Sequence, residues 1–200
     1  MGGIAVFGLN GSGKSTLAHA LAEETGYFEM DVEDYYFPEQ KASRKRALEN
    51  GGEIETEHLG KIPFSVPRTK DEVQEAIMAD IKAHPEFIPA GVTMNWSGEI
   101  LSRIDIAFWL QAPLEERLER IRTREEKRFG ERVLAGGDMF EQQTAFREVV
   151  RNRDSSAVEE CAAKLVCPVI MLDGTWPVAQ NLVKVKEHLR FRVKGTRRDS

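Results

Sequence analysis

The sequence predicts an α/β fold, in which a parallel sheet is covered by helices on both faces. Short apolar runs alternate with amphipathic helical runs along most of the 200 residues. A glycine-rich segment joins the first apolar run directly to the first helix. Such alternation is typical of parallel sheets wrapped by helices, and this length suffices for one domain with a sizeable core.

The strands are predicted from apolar runs that glycine, proline or acidic residues bound. In chain order they cover residues 4–7, 27–31, 87–94, 104–110 and 169–172. Pro89 leaves the start of the third strand open, because proline cannot donate a hydrogen bond to a neighbouring strand.

The helices are predicted from their start signals and apolar spacing. Thr69 and Glu72 form a capping-box pattern before a helix whose apolar positions include Val73, Ile77 and Ile81. Pro113 suits the first turn of another helix, which breaks at residues 129–130 and is followed by a loop and a second helix. That second helix is expected to turn Phe146, Val149 and Val150 inward, and a final helix covers about 178–189.

Residues 8–16 read Gly-Leu-Asn-Gly-Ser-Gly-Lys-Ser-Thr and match the phosphate-binding pattern Gly-x-x-x-x-Gly-Lys-Ser/Thr in full. Glycines let consecutive N–H groups turn inward, and the helix N-terminus adds a positive dipole. Lys14 is expected to reach the β- and γ-phosphates, and the Ser15 hydroxyl to bind Mg²⁺. The residues expected to hold a nucleotide here are Gly8, Asn10, Gly11, Ser12, Gly13, Lys14, Ser15 and Thr16. The alternative is a glycine-rich turn before an ordinary helix.

Acidic residues mark the end of the second predicted strand. Ligands of open parallel sheets bind beyond the carboxyl ends of the strands, where Asp31 is expected. Its carboxylate can accept a proton from an attacking hydroxyl or hold Mg²⁺ through water, and Asp34 is assigned to the acceptor. The alternative is that these acidic residues cap the next element. No acidic residue follows the third or fourth strand, which weakens an interpretation as a hydrolase or motor.

Arginines recur at spacings of three and four residues in the two helices after Pro113, which surround Gly136-Gly137. The guanidinium group stays charged and donates in a fork, so this pattern predicts a lid over phosphates at residues 124–150. The alternative is a salt-bridged solvent face, worth ~0.3–0.5 kcal/mol per pair. The arginines expected to reach a ligand are Arg120, Arg124, Arg128 and Arg151.

The segment from 32 to 70 is the least regular and is expected to bind the phosphate acceptor. It contains Gly51-Gly52 and the basic run 44–46, and a solvated excursion is the alternative. Arg68 would suit an acceptor phosphate or carboxylate, although a solvated residue at a helix entry explains it equally well.

Composition narrows the class of protein. The formal net charge of −5 is a mild excess that says nothing strong about nucleic acid, and no nucleic-acid partner is expected. No apolar run has membrane-spanning length. Cys161 and Cys167 lack metal-type spacing and are expected to be reduced. We therefore expect a cytoplasmic monomer or homodimer that binds no membrane, with a basic tail at 191–200.

Together these motifs resemble the phosphate-loop kinase-like group, which includes nucleoside, nucleotide, shikimate and gluconate kinases. The resemblance rests on the loop at 8–16, on Asp31, on the arginine-rich helices and on Leu172-Asp173-Gly174-Thr175. It implies a single domain over 1–190 and a five-stranded parallel sheet in the order 2-3-1-4-5. It also implies ATP, Mg²⁺ and γ-phosphoryl transfer to a small acceptor, with Gly174 and Thr175 against the adenine base. The catalytic residues would be Lys14, Asp31, Arg124 and Arg128.

The sequence differs from the motifs of each individual kinase family, so the identity of the acceptor stays open. Asp31-Val32-Glu33 stands where shikimate kinases have Asp-x-Asp, and residues 33–36 are similar to an acidic–aromatic run of uridine kinases. The Asp-Gly-Phe-Pro-Arg motif of adenylate kinases and the Asp-Arg-Tyr motif of thymidylate kinases are missing. A hydroxyl or a phosphate group could therefore receive the phosphoryl group. The other hypothesis is an ATP-binding regulator or slow ATPase without a small-molecule acceptor.

Overall fold

The computed structural model describes residues 2–38 and 67–195, with side chains up to residue 189. Within these residues five parallel strands form one sheet in the order β2-β3-β1-β4-β5. The predicted fold class and strand order are therefore confirmed. The strands are β1 Gly3–Phe7, β2 Phe28–Asp31, β3 Phe87–Gly91, β4 Ile104–Gln111 and β5 Val169–Asp173.

Helices connect the strands. The described helices are α1 Lys14–Thr25, α2 Val32–Tyr36, α3 Lys70–Ala83, α4 Gly98–Leu101, α5 Leu114–Phe129, α6 Phe140–Asn152, α7 Ser156–Lys164 and α8 Val178–Gly195, with a 3-10 turn at Gly130–Val133. The sequence does not predict α2, α4 or α7. The first two span about one turn, and α7 buries only Val158 and Cys161, so neither length nor periodicity marks them.

The core lies on both faces of the sheet. Alternate residues of β1 point to opposite faces, so Ile4 and Val6 pack with α1 and α8, while Ala5 and Phe7 pack with α3 and α7. All five residues of β1 are buried. This two-sided burial fixes the end of β1, from which the glycine-rich loop leaves the sheet.

Strand β3 is shorter than predicted and contains Pro89 in its middle. It pairs with β2 through Met30↔Pro89 and with β1 through Val6↔Ala90. A proline inside a central strand removes one ladder hydrogen bond. The chain leaves the sheet after Gly91, and Met94 is fully buried in the core below. The predicted extension of this strand to residue 94 is therefore wrong.

The helix boundaries follow the predicted signals. The capping box of α3 is present, because the Thr69 hydroxyl accepts from the Glu72 amide (3.4 Å) and the Glu72 carboxylate accepts from the Thr69 amide (2.8 Å). Helix α5 ends before Gly130, which has a φ of 59°. Val150 is buried as predicted, but the prediction that Val149 packs inward is wrong, because its residue is 55 % exposed.

Two predicted features lie outside the described residues. Residues 39–66 include the basic run and Gly51-Gly52 of the predicted acceptor segment. The last five residues and the side chains of 190–195 belong to the predicted basic tail. Among the helices described, none is long and apolar enough to cross a membrane.

Replacing Thr69 by alanine tests the capping box. The variant Thr69→Ala loses the hydroxyl that accepts the Glu72 amide, so the free energy of unfolding should fall by about 1 kcal/mol. Urea titration followed by circular dichroism measures the change. Thr123→Ala is the matched control, because Thr123 is exposed in the middle of α5, and it should leave stability nearly unchanged. Equal losses in both variants would contradict the role of the cap.

Candidate functional site

The glycine-rich loop turns sharply between β1 and α1. Gly11 and Gly13 have φ angles of 81° and 97°, values that glycine adopts without strain. Lys14 is the first residue of α1, so the loop ends at a helix N-terminus. An added Cβ on Gly11 would lie 2.5 Å from the Arg117 carbonyl oxygen. Only glycine allows the loop to pass this close to α5.

Neighbouring elements hold the loop from behind. The Arg117 guanidinium is buried and donates to the Asn10 carbonyl oxygen at 3.3 Å. On another side, a Cβ on Gly174 would lie 2.6 Å from the Ser12 carbonyl oxygen. The loop is thus packed between the start of α5 and the turn after β5. Its conformation is set by the fold before any ligand binds.

A cavity of about 630 Å³ opens in front of this loop. Four parts of the described chain line it: the loop, the residues at the end of β2 and α2, those at and after the end of β3, and the two arginine-bearing helices. The lining residues are Asn10, Gly11, Lys14, Ser15, Asp31, Val32, Glu33, Tyr36, Phe37, Gly91, Val92, Thr93, Arg124, Glu125, Arg128, Phe129, Gln142, Gln143, Phe146 and Arg153.

Asp31 has two structural roles. It is the last residue of β2 and the N-cap of α2, where its Oδ1 accepts from the Glu33 amide at 2.9 Å. Its residue also lines the cavity. Asp31 thus caps a helix, as the alternative interpretation expected, and the capping hydrogen bond holds its carboxylate at the cavity wall. Because β3 lies between β2 and β1, Asp31 is about 10 Å across the sheet from the start of the loop.

Three of the cations expected at a ligand line the cavity, namely Lys14, Arg124 and Arg128. Arg153 lines it as well and donates to the Asn10 side-chain oxygen at 3.1 Å. Among the arginines near the second helix the sequence favours Arg151, whereas the structure places Arg153 at the cavity, just beyond the last residue of α6.

Other predicted site residues lie away from the cavity lining. Arg151 is exposed and pairs with Glu148 at 3.3 Å. Arg120 pairs with Glu116 at 2.9 Å and donates to the Gly174 carbonyl oxygen at 2.7 Å. These contacts place Arg120 beside the turn after β5, which also contains Thr175. The remaining residues predicted to bind ligand but found outside the lining are Gly8, Ser12, Gly13, Thr16, Asp34, Arg68, Gly174 and Thr175.

The groups around Lys14 shift its pKa in opposite directions. Burial lowers the pKa of its ammonium group, and the nearby Arg124 and Arg153 lower it further. Glu33 and Asp31 raise the pKa in the opposite direction. Lys14 thus lies between carboxylates at the end of β2 and arginines of the helical region. A bound anion would favour its charged form.

A buried ion pair joins the two arginine-bearing helices. Arg147 on α6 donates to the Glu125 carboxylate on α5, whose residue is 3 % exposed. Burial raises the pKa of Glu125, and the Arg147 guanidinium opposes that rise. The apolar residues Leu118, Ile121 and Val150 pack together beside this pair. The helices therefore form one packed unit along the cavity wall.

This arrangement of loop and sheet matches a family model. The model AAA_18, described as an AAA domain, matches residues 4–144, from β1 into α6. The chain belongs to the AAA domain family. Of the described residues that line the cavity, the matched segment contains all but Phe146 and Arg153.

A curated relative matches nearly the whole chain. The uncharacterized protein YqaC of Bacillus subtilis (strain 168) is 28 % identical over 194 residues, which cover 93 % of this chain and 96 % of the relative. The relative extends the similarity beyond the AAA domain match into the last strand and helix.

Solved structures share the fold. A shikimate kinase from Bacteroides thetaiotaomicron matches with a TM-score of 0.53 at 14 % identity, covering 94 % of this chain and 98 % of that one. A sugar kinase from Janibacter sp. HTCC2649 matches with a TM-score of 0.50 at 17 % identity, covering 95 % of each chain. The resemblance to the phosphate-loop kinase-like group is thereby confirmed at the level of the fold.

Replacing Gly11 tests the close approach of loop and α5. In Gly11→Ala the new methyl group meets the Arg117 carbonyl oxygen at a positive φ, so the free energy of unfolding should fall by about 2 kcal/mol or more. Differential scanning calorimetry measures the loss. Gly98→Ala is the control, because a Cβ at Gly98 has no heavy atom within 4 Å. A Gly11→Ala variant as stable as Gly98→Ala would contradict the packing described.

Proposed function

We propose that the protein is an ATP-dependent small-molecule kinase, which transfers the γ-phosphoryl group of MgATP to a hydroxyl or phosphate acceptor. One observation carries this proposal: Lys14 and Ser15 of the loop face the same cavity as Asp31 at the end of β2. A nucleotide phosphate on the loop and an acceptor beside Asp31 would share that space.

The loop suits the phosphates of a nucleotide. Its glycine conformations are fixed by the fold, and it ends at the N-terminus of α1, where N–H groups and the helix dipole favour anions. Backbone amides of residues 11–15 would hold the phosphates, and Lys14 would reach the β- and γ-phosphates. Arg120 and the turn at Gly174 and Thr175 would border the nucleobase, next to the loop.

The residues present also fit Mg²⁺ as part of a nucleotide complex. The described residues contain no group of three or more His, Cys, Asp or Glu that could hold a metal ion by themselves. Ser15 offers a hydroxyl ligand, and Asp31 offers a carboxylate that can act through water. When bound, Mg²⁺ would neutralise phosphate charge, and Ser15 and Asp31 are the residues that would hold it.

The chain's own groups would support the transfer as follows. Lys14, Arg124 and Arg128 would neutralise the charge that develops on the transferred group, and Arg153 would add to this field. The Asp31 carboxylate would orient the acceptor hydroxyl and receive its proton. Closure of the helical region at 124–150 would exclude water, which otherwise competes as acceptor.

The proposal also covers the domain extent, the compartment and the oligomeric state. We assign one domain to residues 1–190, acting in the cytoplasm as a monomer or homodimer. The two cysteines of the chain, Cys161 and Cys167, are not joined by a disulfide, which supports a reducing compartment.

A second candidate function is an ATP-binding regulator or slow ATPase. The observation in its favour is the hydrogen bond from the Glu33 amide to Asp31, which gives this carboxylate a structural role without any acceptor. Acceptor-dependent turnover separates the two functions.

ADP release with a panel of acceptors tests the kinase. The protein is incubated with MgATP and, in separate reactions, with nucleosides, nucleotides, sugars and hydroxy acids. The expected result is that one chemical class raises ADP release well above the hydrolysis background. Tight ATP binding without stimulation by any member of the panel would favour the regulator instead.

Replacing Lys14 tests the role of the loop. Lys14→Ala removes the ammonium group that faces the cavity, so turnover should fall by about 10²- to 10³-fold while the melting temperature changes little. Lys82→Ala is the control, because Lys82 is exposed in the last turn of α3, and its turnover should equal that of the wild type. Full activity of Lys14→Ala would end the proposal.

Replacing Arg153 tests the cation that sequence spacing does not select. Arg153→Met removes a guanidinium that contacts Asn10 of the loop, so ATP should bind about tenfold more weakly. Isothermal titration calorimetry with MgATP measures the affinity. Arg122→Met is the matched control, because Arg122 pairs with Glu119 and Glu126 on the exposed face of α5. Equal affinities of these two variants would place Arg153 outside the site.

A further inference from the structure

We propose that Arg117 is a positioning residue for the nucleotide phosphates, on which it acts from behind the glycine-rich loop. Its buried charge has no anionic partner in the described parts of the chain, and bound phosphates would supply one. This role rests on the proposed function only in that the loop binds a nucleotide, and it requires no particular acceptor. Arg117 does not line the cavity, unlike Lys14 and Arg124, so it acts through the backbone of the loop.

Arg117 carries its charge without a carboxylate. Its residue is 5 % exposed, although arginine is almost never fully buried unless it is paired. The positions three and four residues away on α5 hold no acidic side chain: they are Pro113, Leu114, Arg120 and Ile121. Across the described residues Arg117 makes no ion pair, and its Nε has no hydrogen-bond partner. Burial lowers the pKa of the guanidinium, and no neighbouring carboxylate raises it.

The hydrogen bond that Arg117 does make orients the peptide between Asn10 and Gly11. Its Nη1 donates to the Asn10 carbonyl oxygen at 3.3 Å. No cis peptide bond occurs in the described residues, so the Asn10 carbonyl and the Gly11 amide point in opposite directions. The Gly11 N–H is thereby turned away from Arg117 and toward the cavity that Gly11 lines. Within the described chain this amide has no hydrogen-bond partner, so it can donate to a phosphate oxygen.

The charge of Arg117 favours an anion at that amide. Hydrogen bonds in a chain polarise one another, so a charged donor on the Asn10 carbonyl strengthens the Gly11 N–H as a donor. The guanidinium would lie about 8 Å from a phosphate oxygen bound there, which is close to the Debye length at physiological ionic strength. Packed backbone fills the intervening space, because even a methyl group on Gly11 would meet α5. Screening by solvent is therefore weaker than at the surface.

A second arginine of the helical region has the opposite surroundings. Arg147 on α6 donates to the buried Glu125 carboxylate. Removing one partner of a buried ion pair is strongly destabilising, whereas an unpaired buried charge is itself a cost to stability. Removal of Arg147 should therefore destabilise the protein, and removal of Arg117 should not. A purely structural role of Arg117 would instead make both losses destabilising.

The experiment compares the full chain with the variants Arg117→Met, Arg117→Lys and Arg147→Met. Melting temperatures are measured without ligand, and calorimetric titrations in Mg²⁺ measure the affinities for ATP and for tripolyphosphate. Arg117→Met should melt no lower than the wild type and should bind both ligands about tenfold more weakly. An equal loss for tripolyphosphate assigns the effect to the phosphates, because this probe has no base. Arg117→Lys keeps the charge and should bind more tightly than Arg117→Met, whereas Arg147→Met should melt lower than the wild type.

Three results would overturn the role of Arg117. They are a melting temperature of Arg117→Met lowered as in Arg147→Met, or a failure to fold; wild-type affinity in folded Arg117→Met; and equal affinities of Arg117→Met and Arg117→Lys. Arg122→Met is the affinity control, because Arg122 pairs with carboxylates on the exposed face of α5, and it should bind both ligands as the wild type does.

Acceptor-dependent ADP release separates this role from the kinase. The expected behaviour of the Arg117 variants, in a protein whose turnover no acceptor stimulates, would support the role of Arg117 and refute the kinase. Acceptor-stimulated turnover together with unchanged ATP affinity in Arg117→Met would support the kinase and refute the role of Arg117. A wild-type protein that binds neither ATP nor tripolyphosphate would refute both.

Discussion

The close contact between the glycine-rich loop and the first turn of α5 determines the rest of the site. Gly11 meets the Arg117 backbone, and the buried Arg117 guanidinium donates to the Asn10 carbonyl oxygen. The loop thereby receives a fixed shape on the side opposite the cavity. The same contact fixes where α5 begins, and hence where Arg124 and Arg128 lie two and three turns later. The contact between Gly11 and Arg117 therefore positions both the loop and the cations Arg124 and Arg128.

The charge pattern of the cavity depends on the order of the strands. Carboxylates come from β2 at one edge of the sheet, whereas Lys14 follows the central strand β1. These groups are distant in sequence and share one cavity because parallel strands end at the same edge of the sheet. Lys14 consequently feels Asp31 and Glu33 as well as Arg124 and Arg153. Opposite charges are kept apart by strand spacing, which leaves room between them.

Sequence reasoning succeeded where local chemistry determines the structure. The loop pattern, the capping box at Thr69 and the alternation of elements depend on neighbouring residues, and the strand order followed from a resemblance to known proteins. It failed where tertiary packing decides. Strand β3 ends at Gly91 and not at Met94, because Met94 packs into the core. Val149 is exposed because Val150 packs with Leu118 and Ile121 of α5. The glutamines and aromatic rings of the cavity carry no sequence pattern that could select them, because they converge from separate elements.

The buried pair of Glu125 and Arg147 bears on how the helical region moves. Its glycine pair at 136–137 lies in a turn that Arg132 and Asp138 close with two hydrogen bonds, and Gly137 packs tightly against the Arg132 backbone. The turn therefore braces α5 against α6 and does not act as a flexible joint. The first turn of α5 is held against the loop through Arg117, so the two helices cannot swing as one rigid body without breaking that contact. Closure is therefore confined to the part of the pair beyond this turn, and it would carry Arg124 and Arg128 toward the ligand together.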